Sequence, residues 1–119
     1  MTREGQERRK HPRITKNLPL KISAGDFDIV TETENISCVG AYCKVERYLE
    51  PMTKLKILIL LPTYLRKSIV TKKVECEGVI VRTENSGDHR YKIAIFFSDI
   101  SSKDIKKISD YVSEQLKIG

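Results

Sequence analysis

At 119 residues the chain has the length of one domain, enough to bury a core without help from a metal or a disulfide. Its formal net charge of +6 points to an anionic partner, whether nucleic acid, membrane surface or small phosphate compound. Three cysteines, Cys38, Cys43 and Cys76, contain no CxxC pair, which argues against a disulfide framework or a zinc ribbon.

The opening residues lack the apolar stretch of a secretion signal and run into the basic segment Arg8-Arg9-Lys10-His11-Pro12-Arg13. Pro12 has no N–H and pushes His11 away from helical geometry, so this arm is expected to be extended. Leu18 to Ser23 and Phe27 to Thr33 alternate apolar and polar residues around the turn residues Ala24-Gly25-Asp26, the pattern of a hairpin. Ala41 to Val45 reads as a third strand and Leu55 to Leu60 as a fourth, ended by Pro62. The apolar run Ile57 to Leu61 falls well short of the roughly 20 residues needed to cross a bilayer. A cytoplasmic location without membrane insertion is therefore expected.

Ile69-Val70-Thr71 and Val74 to Arg82 are rich in β-branched residues, with Gly78 a candidate bulge. Asn85-Ser86-Gly87-Asp88 is a turn cluster, and Tyr91 to Phe97 is the returning strand. Short strands at this spacing suggest a small sandwich or barrel. The tail changes period: Ile105, Ile108, Val112 and Leu116 recur at helical spacing after Ser101 or Ser102 as N-cap, with Asp104 in the first turn. That helix is expected to lay its apolar stripe on an open barrel end or sheet edge.

Two segments carry chemistry. Arginine presents a flat, permanently charged fork that bonds phosphate bidentately and can lie on a base, so Arg9 and Arg13 suit a nucleotide. Asn35-Ile36-Ser37-Cys38-Val39-Gly40 is polar and ends in glycine, a place where a ligand can approach backbone. Taken singly, the first is also what a solvated basic tail looks like. The second is also what a strand-end turn with glycine at positive φ looks like.

Taken in order, Arg9-x-x-x-Arg13 followed by Asn35-x-Ser37-x-x-Gly40 resembles the paired signature of PilZ domains, bacterial receptors for cyclic diguanylate (cyclic di-GMP). The resemblance extends to Leu18-Pro19-Leu20, Leu60-Leu61-Pro62, Gly78-Val79-Ile80-Val81-Arg82, Tyr91 to Phe97 and the terminal helix, nearly the whole chain. One departure is Ala94-Ile95-Phe96-Phe97, a strand in which the family often carries a glycine before the aromatic pair. The resemblance implies an all-β fold: a six-stranded antiparallel PilZ-type β-barrel with an N-terminal basic arm and a C-terminal α-helix. The 1–119 chain is then one domain, with a flexible arm at 1–13, the barrel at 14–98 and the helix at 101–117.

Carried onto this sequence, Arg9 and Arg13 would meet phosphates and guanine, whose O6 and N7 accept a bidentate arginine. Asn35 would address a guanine edge, Ser37 would bond the ligand through its hydroxyl, and Gly40 would let the backbone approach it without a Cβ clash. Arg8 would be an auxiliary contact, and Arg82 would lie near the site. Ligand binding would order the arm and alter the surface offered to a downstream protein partner. No metal and no cofactor besides this ligand are expected.

Three other classes of function fit the sequence less well. No Ser/His/Asp, Cys/His or paired-carboxylate arrangement stands out, so an enzyme is not expected. Single-stranded nucleic acid usually stacks on grouped aromatics, whereas this chain has no Trp and disperses its tyrosines, so nucleic acid is not expected either. A PilZ-type interaction module that has lost its ligand would not need every motif position that this chain retains.

Overall fold

A computed structural model describes residues 11–118. The strands are β1 (Ile14–Thr15), β2 (Pro19–Ala24), β3 (Phe27–Ser37), β4 (Gly40–Val45), β5 (Lys54–Leu65), β6 (Ser68–Asn85) and β7 (Tyr91–Asp99), followed by one helix, α1 (Ser102–Ile118). Every pairing is antiparallel. Proceeding β3–β2–β5–β6–β7–β4 and back to β3, six strands close into a ring, with β1 added on β3. The expected architecture of antiparallel strands with a C-terminal helix is the one observed.

Alternation builds the interior. Leu20 and Ile22 on β2, Leu55, Ile57, Ile59 and Leu61 on β5, and Ile93, Ile95 and Phe97 on β7 all turn inward and are buried in one cluster. Helix α1 adds Ile108, Tyr111 and Val112 to that cluster, each almost fully withdrawn from water and so contributing about 1.5–3 kcal/mol by transfer. The helix starts where Ser101 Oγ accepts the Asp104 N–H at 3.1 Å, satisfying one orphan donor of the first turn. It is tied to β6 by the Lys107 ammonium donating to the Lys73 carbonyl at 2.9 Å. The stripe expected to end at Leu116 ends at Val112, because Leu116 is exposed past the ring.

Two strands run further than their sequence suggests. Pro62 does not end β5; the β2–β5 ladder stops at Ile59, so beyond it β5 is bonded only to β6 and a residue without an N–H is tolerated. Residues 69–71 and 74–82 are one strand, β6, which pairs with β5 out to Leu65↔Ser68. A shift in the β6–β7 register between Glu77 and Gly78 realises the expected bulge.

The break between β1 and β2 is closed by one side chain. Thr33 is fully buried; its hydroxyl accepts the Leu18 N–H at 2.9 Å and donates to the Lys16 carbonyl at 2.6 Å. Asn17 Nδ2 adds a bond to the Thr33 carbonyl at 2.8 Å. The chain therefore runs along β3 in two pieces, β1 with Ile14↔Ile36 and Thr15↔Asn35 in register and β2 from Pro19↔Glu32 onward. That path delivers Arg13 beside Asn35.

Candidate functional site

Successive strands place Thr15, Asn35, Tyr42, Ala94 and Arg82 side by side, through the pairs Thr15↔Asn35, Asn35↔Tyr42, Tyr42↔Ala94 and Arg82↔Ala94. Ala94 lies between the core residues Ile93 and Ile95 and so points outward; its 6% exposure reflects the long side chains on either flank. Its small size leaves room above β7 for those side chains to meet.

The meeting point is Tyr42. The Arg13 guanidinium lies 5.2 Å from the ring centre, Arg82 5.6 Å and the Lys92 ammonium 5.2 Å. Arg82 also donates to the Tyr42 hydroxyl at 2.9 Å, and Arg13 donates to Asn35 Oδ1 at 2.7 Å. Three like charges around one ring repel each other. The negative face of the ring offsets part of this, by about 0.5–1 kcal/mol per cation at an exposed site. Glu84 pairs with Arg82 at 3.0 Å, and Glu34 pairs with Lys92 at 3.7 Å. Among the described residues, the Arg13 contacts are the neutral amide of Asn35 and the ring of Tyr42.

The two sequence motifs thus meet in space through Arg13 and Asn35, while Arg8 and Arg9 lie outside the described residues. His11 continues the junction: its Nδ1 and the Cys38 thiol are within hydrogen-bonding reach at 3.4 Å. Ser37 is placed differently from its neighbours. It is fully buried, and its Oγ accepts the Val39 N–H at 3.2 Å, a serine turn that bends β3 into β4.

Gly40 has neither the positive φ of a turn glycine, which Gly25 and Gly87 have, nor an open outer side. A Cβ there would collide with the Ile95 carbonyl oxygen, so the backbone it admits closely is that of β7. Gly40 opposes Phe96 in register. Phe96 points outward and is half exposed, while Phe97 is core.

Tyr42 and Lys92 are the residues that motif reading missed. Tyr42 sits two residues beyond Gly40, and Lys92 two before Ala94, so β-alternation from the motif glycine would have put Tyr42 on its face. A concavity of about 470 Å³ lies elsewhere along β3 and β4, lined in part by Thr31, Lys44, Arg47 and Arg90. Its cations are already engaged. Arg47 stacks on Phe27 at 4.0 Å, and Lys44 and Arg90 pair with Asp88 at 3.4 and 3.0 Å. Hydrogen bonds from Ser86, Arg90 and Lys44 hold the Asp88 carboxyl far below the usual carboxylate range.

The thiols at positions 43 and 76 are not poised to react. Burial pushes both up to about 12, with Glu34 adding to the effect at Cys43 and Asp104, Asp99 and Glu77 at Cys76. Among the described residues no group of His, Cys, Asp and Glu side chains could hold a metal ion, and no helix is long and apolar enough to cross a membrane.

The fold has counterparts. Inhibitor of motility (MotI/DgrA) from Bacillus subtilis superposes with a TM-score of 0.76 at 24% identity, over 92% of this chain and 52% of its own. MrkH from K. pneumonia superposes with a TM-score of 0.51 at 16% identity, over 82% of this chain and 38% of its own. This chain therefore spans about half the length of the first and less of the second. No curated protein sequence matches it. A model of the PilZ domain matches residues 7–114, nine-tenths of the chain, and the chain belongs to the PilZ domain family.

Proposed function

We propose that this PilZ domain is a non-catalytic receptor for cyclic di-GMP, held on the outer face of the ring around Tyr42, and that it signals through a protein partner. The observation that carries the proposal is the convergence of Arg13, Arg82 and Lys92 on one ring, with Asn35 bonded to the first of them. A dinucleotide with two phosphate charges answers such a cluster. Exposed ion pairs are worth about 0–1 kcal/mol, so phosphate oxygens displace Glu34 and Glu84 from their lysine and arginine at little cost.

In this reading Arg9 and Arg13 grip phosphate and guanine, Arg8 assists, and Asn35 exchanges its bond to Arg13 for one to a guanine edge. Arg82 closes the far side, with Tyr42 fixing its direction. Ser37 and Gly40 hold the turn and the strand junction that set Asn35 and Tyr42 beside each other. The arm closes over the ligand, and the new surface is what a partner reads, an ordering switch of the kind common in signalling. MotI/DgrA is by name an inhibitor of motility, and a regulator acting through another protein is the part proposed for this chain.

Hydrogen bonds to charged groups contribute about 1.5–3 kcal/mol, so losing one arginine weakens binding about ten- to a hundredfold. Calorimetric titration with cyclic di-GMP should show this for Arg9→Ala and for Arg13→Ala, with unfolding unchanged. Unaltered affinity in both variants sinks the proposal. Hydrogen exchange over residues 1–13 should slow on adding the dinucleotide; equal protection with and without it contradicts the closing arm.

A further inference from the structure

Beyond the reach of β2, the β5–β6 hairpin projects with apolar side chains on both faces. Tyr64 and Ile69 oppose each other on one face and are 74% and 70% exposed. On the other, Leu65 and Val70 are also exposed. Isolated exposed apolar residues are ordinary, but a hairpin that exposes a pair of them on each face is a candidate interaction element, and Leu65 and Val70 share the face of Thr63. A cleft of about 410 Å³ separates this hairpin from the second half of α1, walled by Thr63, Leu65 and Lys72 on one side and Tyr111, Glu114 and Gln115 on the other.

Charge narrows what can occupy the cleft. From Ile57 to Val74 the hairpin has four cations, Arg66, Lys67, Lys72 and Lys73, and no acidic residue. Among the described residues none of the four enters an ion pair. The helix wall is balanced, with Asp110 and Glu114 against Lys107 and Lys117, so the hairpin sets the sign.

A second copy, itself carrying +6, is repelled by that surface. An anionic membrane suits cations that flank an apolar tip, whereas here Arg66 and Lys67 form the apex and the apolar residues stand behind it. A rod with an apolar stripe and acidic flanks fits both the shape and the charge. We propose that the cleft between the β5–β6 hairpin and α1 takes an acidic amphipathic helix of a protein partner, at a surface separate from the Tyr42 site.

The test uses the whole chain without nucleotide, so its result does not depend on the cyclic di-GMP proposal. Helical peptides of about 18 residues, long enough for five turns, are displayed with randomised surfaces and selected on the protein. The enriched peptides should carry a Leu, Ile or Phe stripe flanked by Asp and Glu. Their affinity, read by fluorescence anisotropy, should fall at least about tenfold, near 1.4 kcal/mol, in Leu65→Ser/Val70→Ser and in Arg66→Glu/Lys67→Glu. Arg13→Ala should leave it unchanged. All altered hairpin residues are exposed, and unchanged circular dichroism confirms the fold. Absence of enrichment, selection of neutral or basic peptides, or affinity indifferent to both hairpin variants overturns the proposal. So does hairpin-dependent binding to phosphatidylglycerol vesicles that matches the peptide, or a hairpin-dependent dimer in sedimentation.

Discussion

Arg82 on β6 and Tyr42 on β4 reach across β7 from opposite sides and join above Ala94, guanidinium to hydroxyl at 2.9 Å. The bridge exists because position 94 has only a methyl group to pass over. An alanine satisfies the same spatial demand as the glycine frequent in this strand of the family. Ala94→Leu should separate Arg82 from Tyr42 and weaken cyclic di-GMP binding, since the added side chain points away from the core. Titration beside thermal unfolding checks both parts, and intact affinity with an intact fold would show the bridge to be irrelevant.

Tyr42→Ala removes the ring that gathers three cations. At about 0.5–1.5 kcal/mol for the lost cation–π and hydrogen-bond contributions, affinity for cyclic di-GMP should drop about two- to tenfold. Tyr42→Phe keeps the ring and loses only the Arg82 bond, so its effect should be the smaller. The reverse order in calorimetry would assign the work to the hydroxyl.

Gly40→Ala tests a structural role. The new methyl meets the Ile95 carbonyl, and relief requires β4 and β7 to part. The expected cost is about 1–3 kcal/mol of folding stability, read as a lower urea midpoint in the absence of any ligand. A variant as stable as the parent, with weaker binding, would instead place the glycine at the ligand.

Cys43 makes stability depend on alkaline pH. Its thiol is held up to about 12 in the fold but ionises near 9 when unfolded, so above pH 9 the unfolded chain binds fewer protons than the native one. The stability this thiol provides is complete below pH 9 and is lost as pH rises toward 12, at no more than about 1.4 kcal/mol per pH unit. Urea unfolding of the parent and of Cys43→Val between pH 8 and 11 should show the steeper decline in the parent.

The hairpin loop Arg66-Lys67 is strained, with φ of 50° and 68° at two residues that carry side chains. Two-residue hairpin loops of this kind favour Asn-Gly, and the left-handed conformation costs other residues about 1–2 kcal/mol each. Arg66→Asn/Lys67→Gly should therefore raise the melting temperature. If the acidic-helix proposal holds, the same variant should lose peptide affinity along with its two charges.

What the sequence discloses depends on the range of the interactions. Alternation on β2, β4 and β7 and the helical period from Ile105 to Val112 are local patterns, and their elements lie where those patterns put them. Pro62 misled because whether a strand tolerates proline depends on the neighbouring ladder, which ends at Ile59. Leu116 misled because a stripe shows which way a helix faces and not how far the surface beneath it extends. Asn35 and Arg13 were legible as motif members, but Lys92 joins them only through ring closure, when β4 pairs with β7. Ser37 and Gly40 were legible as positions, but their structural neighbours, the Val39 N–H and the Ile95 carbonyl, are backbone groups that no motif displays.

The collision awaiting a side chain at position 40 changes what a motif match measures. A glycine and a serine that serve a strand junction have a structural task whether or not a nucleotide ever visits it. Arg13 has a different setting, its contacts being the Asn35 amide and the Tyr42 ring on the outer face. In a lineage drifting away from the second messenger, the turn would outlast the arm, and the ratio of the two in a set of sequences would date the loss.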